Sequence, residues 1–295
     1  MSLAEAPAAA SAPAPGRLGA LRARAATPAW LALPLIVFLG VFYLAPVALM
    51  LARAAGEGDW APLFAAVENQ VAQRVFLGTL EIAFVCTLAT LVIGYPLALF
   101  AALAPPWLAR IAIAAVLAPF WSSILIRSYA WMVLLGREGL VNGALGGLGL
   151  IEAPIRMLNT TFAVYVGMIH IMLPFMILPI YAALKGIDGR LVQAAENLGA
   201  STASVLRHVI LPLSAPGVAA GALVVFVLSI GFYVTPALLG GPRDMMVSML
   251  IAQEVDLYNW DLASAYAGGL LAITLLIVAV ASRFVDLGKA MGGRG

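Results

Sequence analysis

Within its apolar runs this chain carries few side chains capable of chemistry: Glu81, Arg127, His170 and the lone cysteine Cys86. A carboxylate and a guanidinium in such surroundings are costly unless paired. Glu81 and Arg127 are therefore expected to form a buried ion pair holding two spans together, or to line an outer gate or solute path. Counted from the ends of their runs at 1.5 Å per residue, they lie about 9 Å and about 12 Å below one surface, which permits pairing. His170 is expected to hydrogen-bond between helices, as polar side chains in bundles commonly do. A hydrolase would need more. There is no G-x-S-x-G and no H-E-x-x-H, the histidines are His170 and His208, and nothing supplies a third orienting group. The lysines, Lys185 and Lys289, follow no G-x-x-x-x-G-K-[ST], so the chain is not its own ATPase and no catalytic residue is expected. One cysteine allows neither an internal disulfide nor a cysteine metal cluster, and no cofactor or metal is expected.

Aromatic side chains are the other candidates. Trp121, Tyr129, Trp131, Tyr165 and Tyr233 could box an amine by cation–π contact. Trp131 and Trp30, near run ends, fit interfacial belts better. Tyr233 lies inside its run, beside Gly231 and before Thr235-Pro236, a glycine-adjacent, proline-interrupted segment suited to a gate. Glu81, Trp121, Ser123, Arg127, Tyr129, Tyr233 and Thr235 make up the candidate solute path or gate.

The elements that must position these residues follow from composition. A chain of 295 residues that is 63% hydrophobic and 10% charged cannot solvate its own surface, so it is expected to be an all-α polytopic membrane protein. At about 20 apolar residues per span, six candidates appear: Ala29 to Ala52, Val75 to Ala104, Ile111 to Leu135, Thr161 to Leu184, Leu213 to Leu239 and Leu262 to Phe284. Most contain proline, which bundles tolerate because neighbouring helices satisfy the freed carbonyls. Gly217 and Gly221 form G-x-x-x-G and predict close helix packing. Residues 1–28, rich in Ala and Pro with Arg17, Arg22 and Arg24, read as a disordered basic cytoplasmic tail. The run after them is nearer a full span than a signal-peptide core. Residues 29–286 form the membrane domain and 287–295 a second cytoplasmic tail.

Lys and Arg near the span ends orient the chain. Arg17, Arg22, Arg24, Arg110, Lys185, Arg190, Arg207, Arg283, Lys289 and Arg294 fall on one side, against Arg53, Arg74, Arg137, Arg156 and Arg243 on the other. The richer side is expected to be cytoplasmic, with both termini there. The opposite side collects Glu57, Asp59, Glu68, Glu138, Glu152, Asp244, Glu254, Asp256 and Asp261. Such an acidic face favours a cationic solute or a basic partner, or is simply solvated loop.

The longest cytoplasmic loop, 185–212, is expected to divide at Gly199 into two short helices, with Gly199 a C-terminal cap and Ser201 the next N-cap. Leu191, Ala194, Ala195 and Leu198 recur at helical spacing as a thin apolar stripe. So little area binds lipid weakly and suits a close-fitting protein groove better. The loop resembles the cytoplasmic signature E-A-A-x3-G-x9-I-x-L-P of permease subunits of binding-protein-dependent ABC importers. Gln193, Ala194, Ala195, Gly199, Val209, Leu211 and Pro212 occupy its positions. Gln193 stands where that family usually has Glu, with Glu196 three residues on, and Val209 replaces Ile. The segments "PFWSSILIRSYAWMVLLG", "LPFMILPIYAALKGID" and "GFYVTPALLGGPRDMMVSMLIAQE" are similar to the spermidine/putrescine-type subset, over roughly residues 30 to 286.

The resemblance implies a type I ABC importer permease fold of six spans in a bacterial inner membrane. Gln193, Ala194, Ala195, Glu196, Leu198, Gly199 and Pro212 would belong to a coupling helix that docks in a cleft of an ATP-hydrolysing subunit. It also implies a pair of such ATPases, which bind ATP and Mg, a second permease chain (a copy or, better, a sister), and a periplasmic solute-binding protein. Besides the lipid bilayer these are the partners, with no nucleic acid, and the solute would be a polyamine or other amine. The alternative is an ion-coupled secondary transporter, for which Glu81 is the one clear intramembrane carboxylate.

Overall fold

The computed structural model describes residues 32–56, 58 and 60–284. The tails 1–28 and 287–295, Trp30, Glu57, Asp59 and Lys289 lie outside the described residues. Two compact units divide at Ala52/Arg53. The first contributes most of helix α1 (Leu33–Ala54). In it, Ala45 N–H bonds back five residues to Gly40 O, a widened turn just before Pro46, which has no N–H to offer.

The second unit is all helical among the described residues. In chain order it contains α2 (Ala61–Glu68), α3 (Gln70–Leu103), α4 (Pro106–Trp121), α5 (Ile124–Leu135), α6 (Leu140–Gly147), α7 (Thr161–Lys185), α8 (Gly189–Asn197), α9 (Thr202–Ile230), α10 (Val234–Leu239), α11 (Val247–Asp256) and α12 (Trp260–Phe284). Five described helices of the chain are long and apolar enough to cross a membrane, and six if the bent pair Pro106–Trp121 and Ile124–Gly147 counts as one span.

Helices α3, α7 and α9 form the centre, around Met168, Met172, Met176, Ile177 and Ile180, all fully buried. Lipid tails are as apolar as these side chains, so close backbone approach and hydrogen bonds must hold the helices together. The G-x-x-x-G of α9 supplies the approach. A Cβ at Gly217 would lie 2.7 Å from Pro179 O of α7, and one at Gly221 would lie 3.0 Å from Met176 O. Tyr95 Oη of α3 and Ser214 Oγ of α9 share a hydrogen bond of 2.9 Å.

At the end of the bundle away from α8, shorter helices cap the long ones. Asn69 caps α3, its side chain accepting from Val71 N–H and Ala72 N–H, and donates to Tyr266 Oη of α12. The buried Thr79 hydroxyl of α3 accepts from Val247 N–H at 3.0 Å and so fixes the start of α11. Asp244 is 3% exposed and holds Thr161 Oγ1 and Gly241 N–H. It pins the start of α7 and does not belong to an open acidic face.

Three expected spans are redrawn. The second starts at Gln70, earlier than Val75, because Asn69 provides the cap. Ile111 to Leu135 is not one helix: Ser122 and Ser123 are extended, and α4 meets the following arm at 101°. The fifth span begins at Thr202 and ends at Ile230, so the second short helix expected in the cytoplasmic loop is its first turns.

Candidate functional site

The described unit offers two candidate regions: α8 with its flanks, and the cleft where the bent span meets α7 and α9.

At α8, Asp188 caps the start by accepting from Arg190 N–H at 2.9 Å. The end closes as a Schellman motif, in which Gly199 N–H donates to Glu196 O (2.9 Å) and Ala200 N–H donates to Ala195 O (3.1 Å). Gly199 sits at φ +83°, where an L side chain is strained. Ser201 then caps α9 by accepting from Ser204 N–H. The capping expectation is met at both residues. Leu211 N–H reaches back to Leu206 O, the same widened turn before a proline as in α1, here serving Pro212. The start of the loop is tied to the bundle by Lys185 Nζ, which donates to Ala102 O at the end of α3 (2.8 Å) and lies 5.9 Å above the Tyr181 ring.

The apolar stripe of α8 is split. Val192 and Ala195 are half-buried, and Val192 lines a hollow of about 240 Å³ with Leu99, Ala102, Ile187 and Ile210. Leu191, Gln193, Ala194 and Glu196 are exposed, and Leu198 is 89% exposed. One face seats the helix and the other remains open.

In the cleft, Arg127 of α5 faces a cavity of about 270 Å³ lined by Phe120, Ile124, Ile171, Met172, Phe175, Leu228 and Phe232. The Phe120 and Phe175 rings lie 5.3 Å apart. Arg127 Nε is buried and has no hydrogen-bond partner. Glu81 is exposed on α3. The expected Glu81–Arg127 ion pair is therefore absent from the described residues: similar depth along two helices does not make them face each other.

His170 does bond between helices: Trp131 Nε1–H donates to its Nδ1 at 3.1 Å, with the rings edge to face. Trp131 is half-buried, packed against the cluster of Leu135, Met157, Ala163 and Leu239. Thr235 is fully buried and shares a 3.0 Å hydrogen bond with Ser128, joining α10 to α5. It helps hold α10 against α5 and is not exposed. Ser123 caps α5 by accepting from Leu125 N–H. Trp121 at the bend is 83% exposed, Tyr129 55% and Tyr233 47%. Tyr165 is half-buried.

The break at Gly231–Tyr233 ends α9 and starts α10, with Pro236 in the first turn, where its missing N–H costs nothing. Ser248 Oγ donates to the freed Phe232 O at 2.6 Å. Ser128, Ser248 and Thr79 were not singled out from the sequence. Their signal was the rarity of a hydroxyl at a position where hydropathy asks for none.

Residues 60–287 match the family of binding-protein-dependent transport system inner membrane components. The spermidine/putrescine transport system permease protein PotB of Haemophilus influenzae is 38% identical over 72% of this chain and 74% of its own length. The protein of the same name from Escherichia coli K12 is 36% identical over 70% of this chain and 73% of its own. A solved structure of a bacterial alginate ABC transporter, in complex with its alginate pentasaccharide-bound periplasmic protein, contains a chain with the same fold. Its TM-score is 0.72 at 20% identity, covering 90% of this chain and 96% of that one. A helical bundle that carries the signature loop on a capped glycine and matches the family model from the α2 region onward, this chain belongs to the family of binding-protein-dependent transport system inner membrane components.

Proposed function

We propose that this permease imports a polyamine or related amine, driven by ATP hydrolysis in partner subunits. The observation that carries the reading is the relation to the spermidine/putrescine permeases over seven-tenths of the chain. ATP and Mg are bound by a pair of ATPase subunits, and the open face of α8 (Leu191, Ala194, Leu198) docks in a cleft of one of them. Both termini and α8 lie in the cytoplasm, and a periplasmic binding protein delivers solute at the opposite end. A second permease chain, a sister or a copy, completes the path.

The route of force follows from how α8 is held. Its inner-face Val192 borders a hollow lined by Leu99 and Ala102 of α3 and Leu184 of α7, Lys185 ties α7 to the end of α3, and Gly199 turns directly into α9. Displacing α8 therefore moves the α3, α7 and α9 trio. The joints of the bundle, at Ser122–Ser123 and at Gly231–Tyr233, take up the change and alternate the access of the cleft. Tyr233 and Trp121, exposed beside these joints, offer aromatic faces to a passing ammonium.

The cognate binding protein, purified with its bound ligand, is expected to release an amine identified by mass spectrometry. In liposomes holding the full complex, Tyr233→Ala should slow uptake of that amine more than it slows basal ATP hydrolysis. A bound anion without an amine would contradict the substrate class and leave the ATP-driven mechanism standing.

A further inference from the structure

Arg127 projects from α5 into an apolar cleft, and its Nε is buried without a partner. Arg127 as a whole is half-buried, and a charged side chain with one buried donor left unpaired is stabilised when a carboxylate meets it. This chain has none to offer from the elements around the cleft. Helices α4, α5, α7, α9 and α10 contain no Asp or Glu, and neither does α1. Glu81 on α3 is exposed and does not pair with it. The amine solute has the same sign of charge as Arg127 and cannot complete it either.

The same bent span leaves a face uncovered. Ile126, Tyr129 and Val133 recur at helical spacing on α5 and are exposed, and Trp121 at the bend is almost wholly so. Lipid tails could cover the apolar side chains but would leave the guanidinium unpaired. We infer that the bent span docks against a second membrane-embedded permease chain, which presents a carboxylate to Arg127 and closes the cleft with an intersubunit ion pair. The inference rests on the reading that two permease chains share the path. It gives the pair a role in transport: neutralising Arg127 removes a repulsion that a cationic solute would otherwise meet beside Phe120, Phe175 and Phe232.

The test uses the whole complex in membranes with Arg127→Lys, treated with dicyclohexylcarbodiimide, which is soluble in the bilayer. The reagent activates a carboxyl group, and the new amine attacks it, forming an amide and releasing the substituted urea. The background is small because Lys185 and Lys289 are the natural lysines. The expected product is a cross-link from position 127 to an Asp or Glu of the second permease, located by mass spectrometry and absent with Arg127→Gln. In detergent, Arg127→Gln should retain about thirtyfold less of the second permease, the loss expected when one partner of a desolvated charge pair is neutralised. Changing the cross-linked acid to its amide should recover part of it. A cross-link to Glu81 of this chain would overturn the inference. So would an Arg127→Lys complex that assembles and transports but gives no cross-link. Full retention of the second permease by Arg127→Gln would also overturn it. The cross-link reads assembly, so failure of amine uptake would count against the substrate class alone.

Discussion

Thr235 and Ser128 show what a single buried contact does in this bundle. Each hydroxyl has the other as its partner, and both residues are fully buried. Thr235→Val should lower stability in detergent by about 0.6–1.7 kcal/mol, the measured span for such bonds in membranes, and Ser128→Ala in the same background should restore part of the loss. Additive losses in the double variant, read by thermal unfolding, would mean that the pair is not coupled. Gly217 tests close approach in the same way. Gly217→Leu places a side chain where α7 backbone already lies and should cost about 1–3 kcal/mol or more. Gly78→Ala faces open space and should be neutral or stabilising by up to about 1 kcal/mol. Equal effects at the two glycines in the same unfolding assay would contradict the packing described. At this scale the sequence revealed which residues were unusual but not which of them meet. His170 was legible as an interhelical hydrogen-bonder because an imidazole in an apolar run needs a partner. The pairing of Glu81 with Arg127 does not form, because span positions give depth alone, while pairing also depends on the direction each helix face takes.

Helices α8 and α9 show how capping orders the loop that the proposed mechanism uses as a lever. Asp188, Gly199 and Ser201 fix both ends of α8 and start α9 with a single intervening turn. Gly199→Val should cost about 1–2 kcal/mol locally through its positive φ. It should leave the protein in the membrane and strongly reduce uptake relative to ATP hydrolysis, whereas Gly199→Asn, which tolerates that conformation, should retain more. Gln193→Glu should be tolerated, since position 193 is exposed on the open face. Normal uptake by Gly199→Val, measured with ATPase copurification, would remove the lever. The caps at Gly199 and Ser201 were legible because Gly and Ser at that spacing have a local mechanism, whereas the Asp188 cap emerges only from the structure. The broken spans were not, because an extended pair such as Ser122–Ser123 leaves the apolar run uninterrupted. Hydropathy registers composition across a break, whereas the break itself is set by which side chains satisfy the freed backbone groups. At Phe232 that group is Ser248, distant in sequence.

For the molecule as a whole, composition alone established a helical bundle, and the loop signature established its family. What neither composition nor motif could supply is the division of labour among helices: a central trio held by glycines, a bent span and a broken one that form the cleft, and short helices that brace the far end through Thr79, Asn69 and Asp244. That arrangement depends on contacts between residues far apart in the chain. The proposed function assigns to that arrangement a route in which work enters at α8 and the cleft responds. The direct measurement is accumulation of labelled spermidine or putrescine in liposomes holding the permease pair, the ATPase pair and the binding protein. Accumulation that requires ATP, and that is absent under an ion gradient alone, is the predicted result. Accumulation driven by the gradient without ATP would contradict the account.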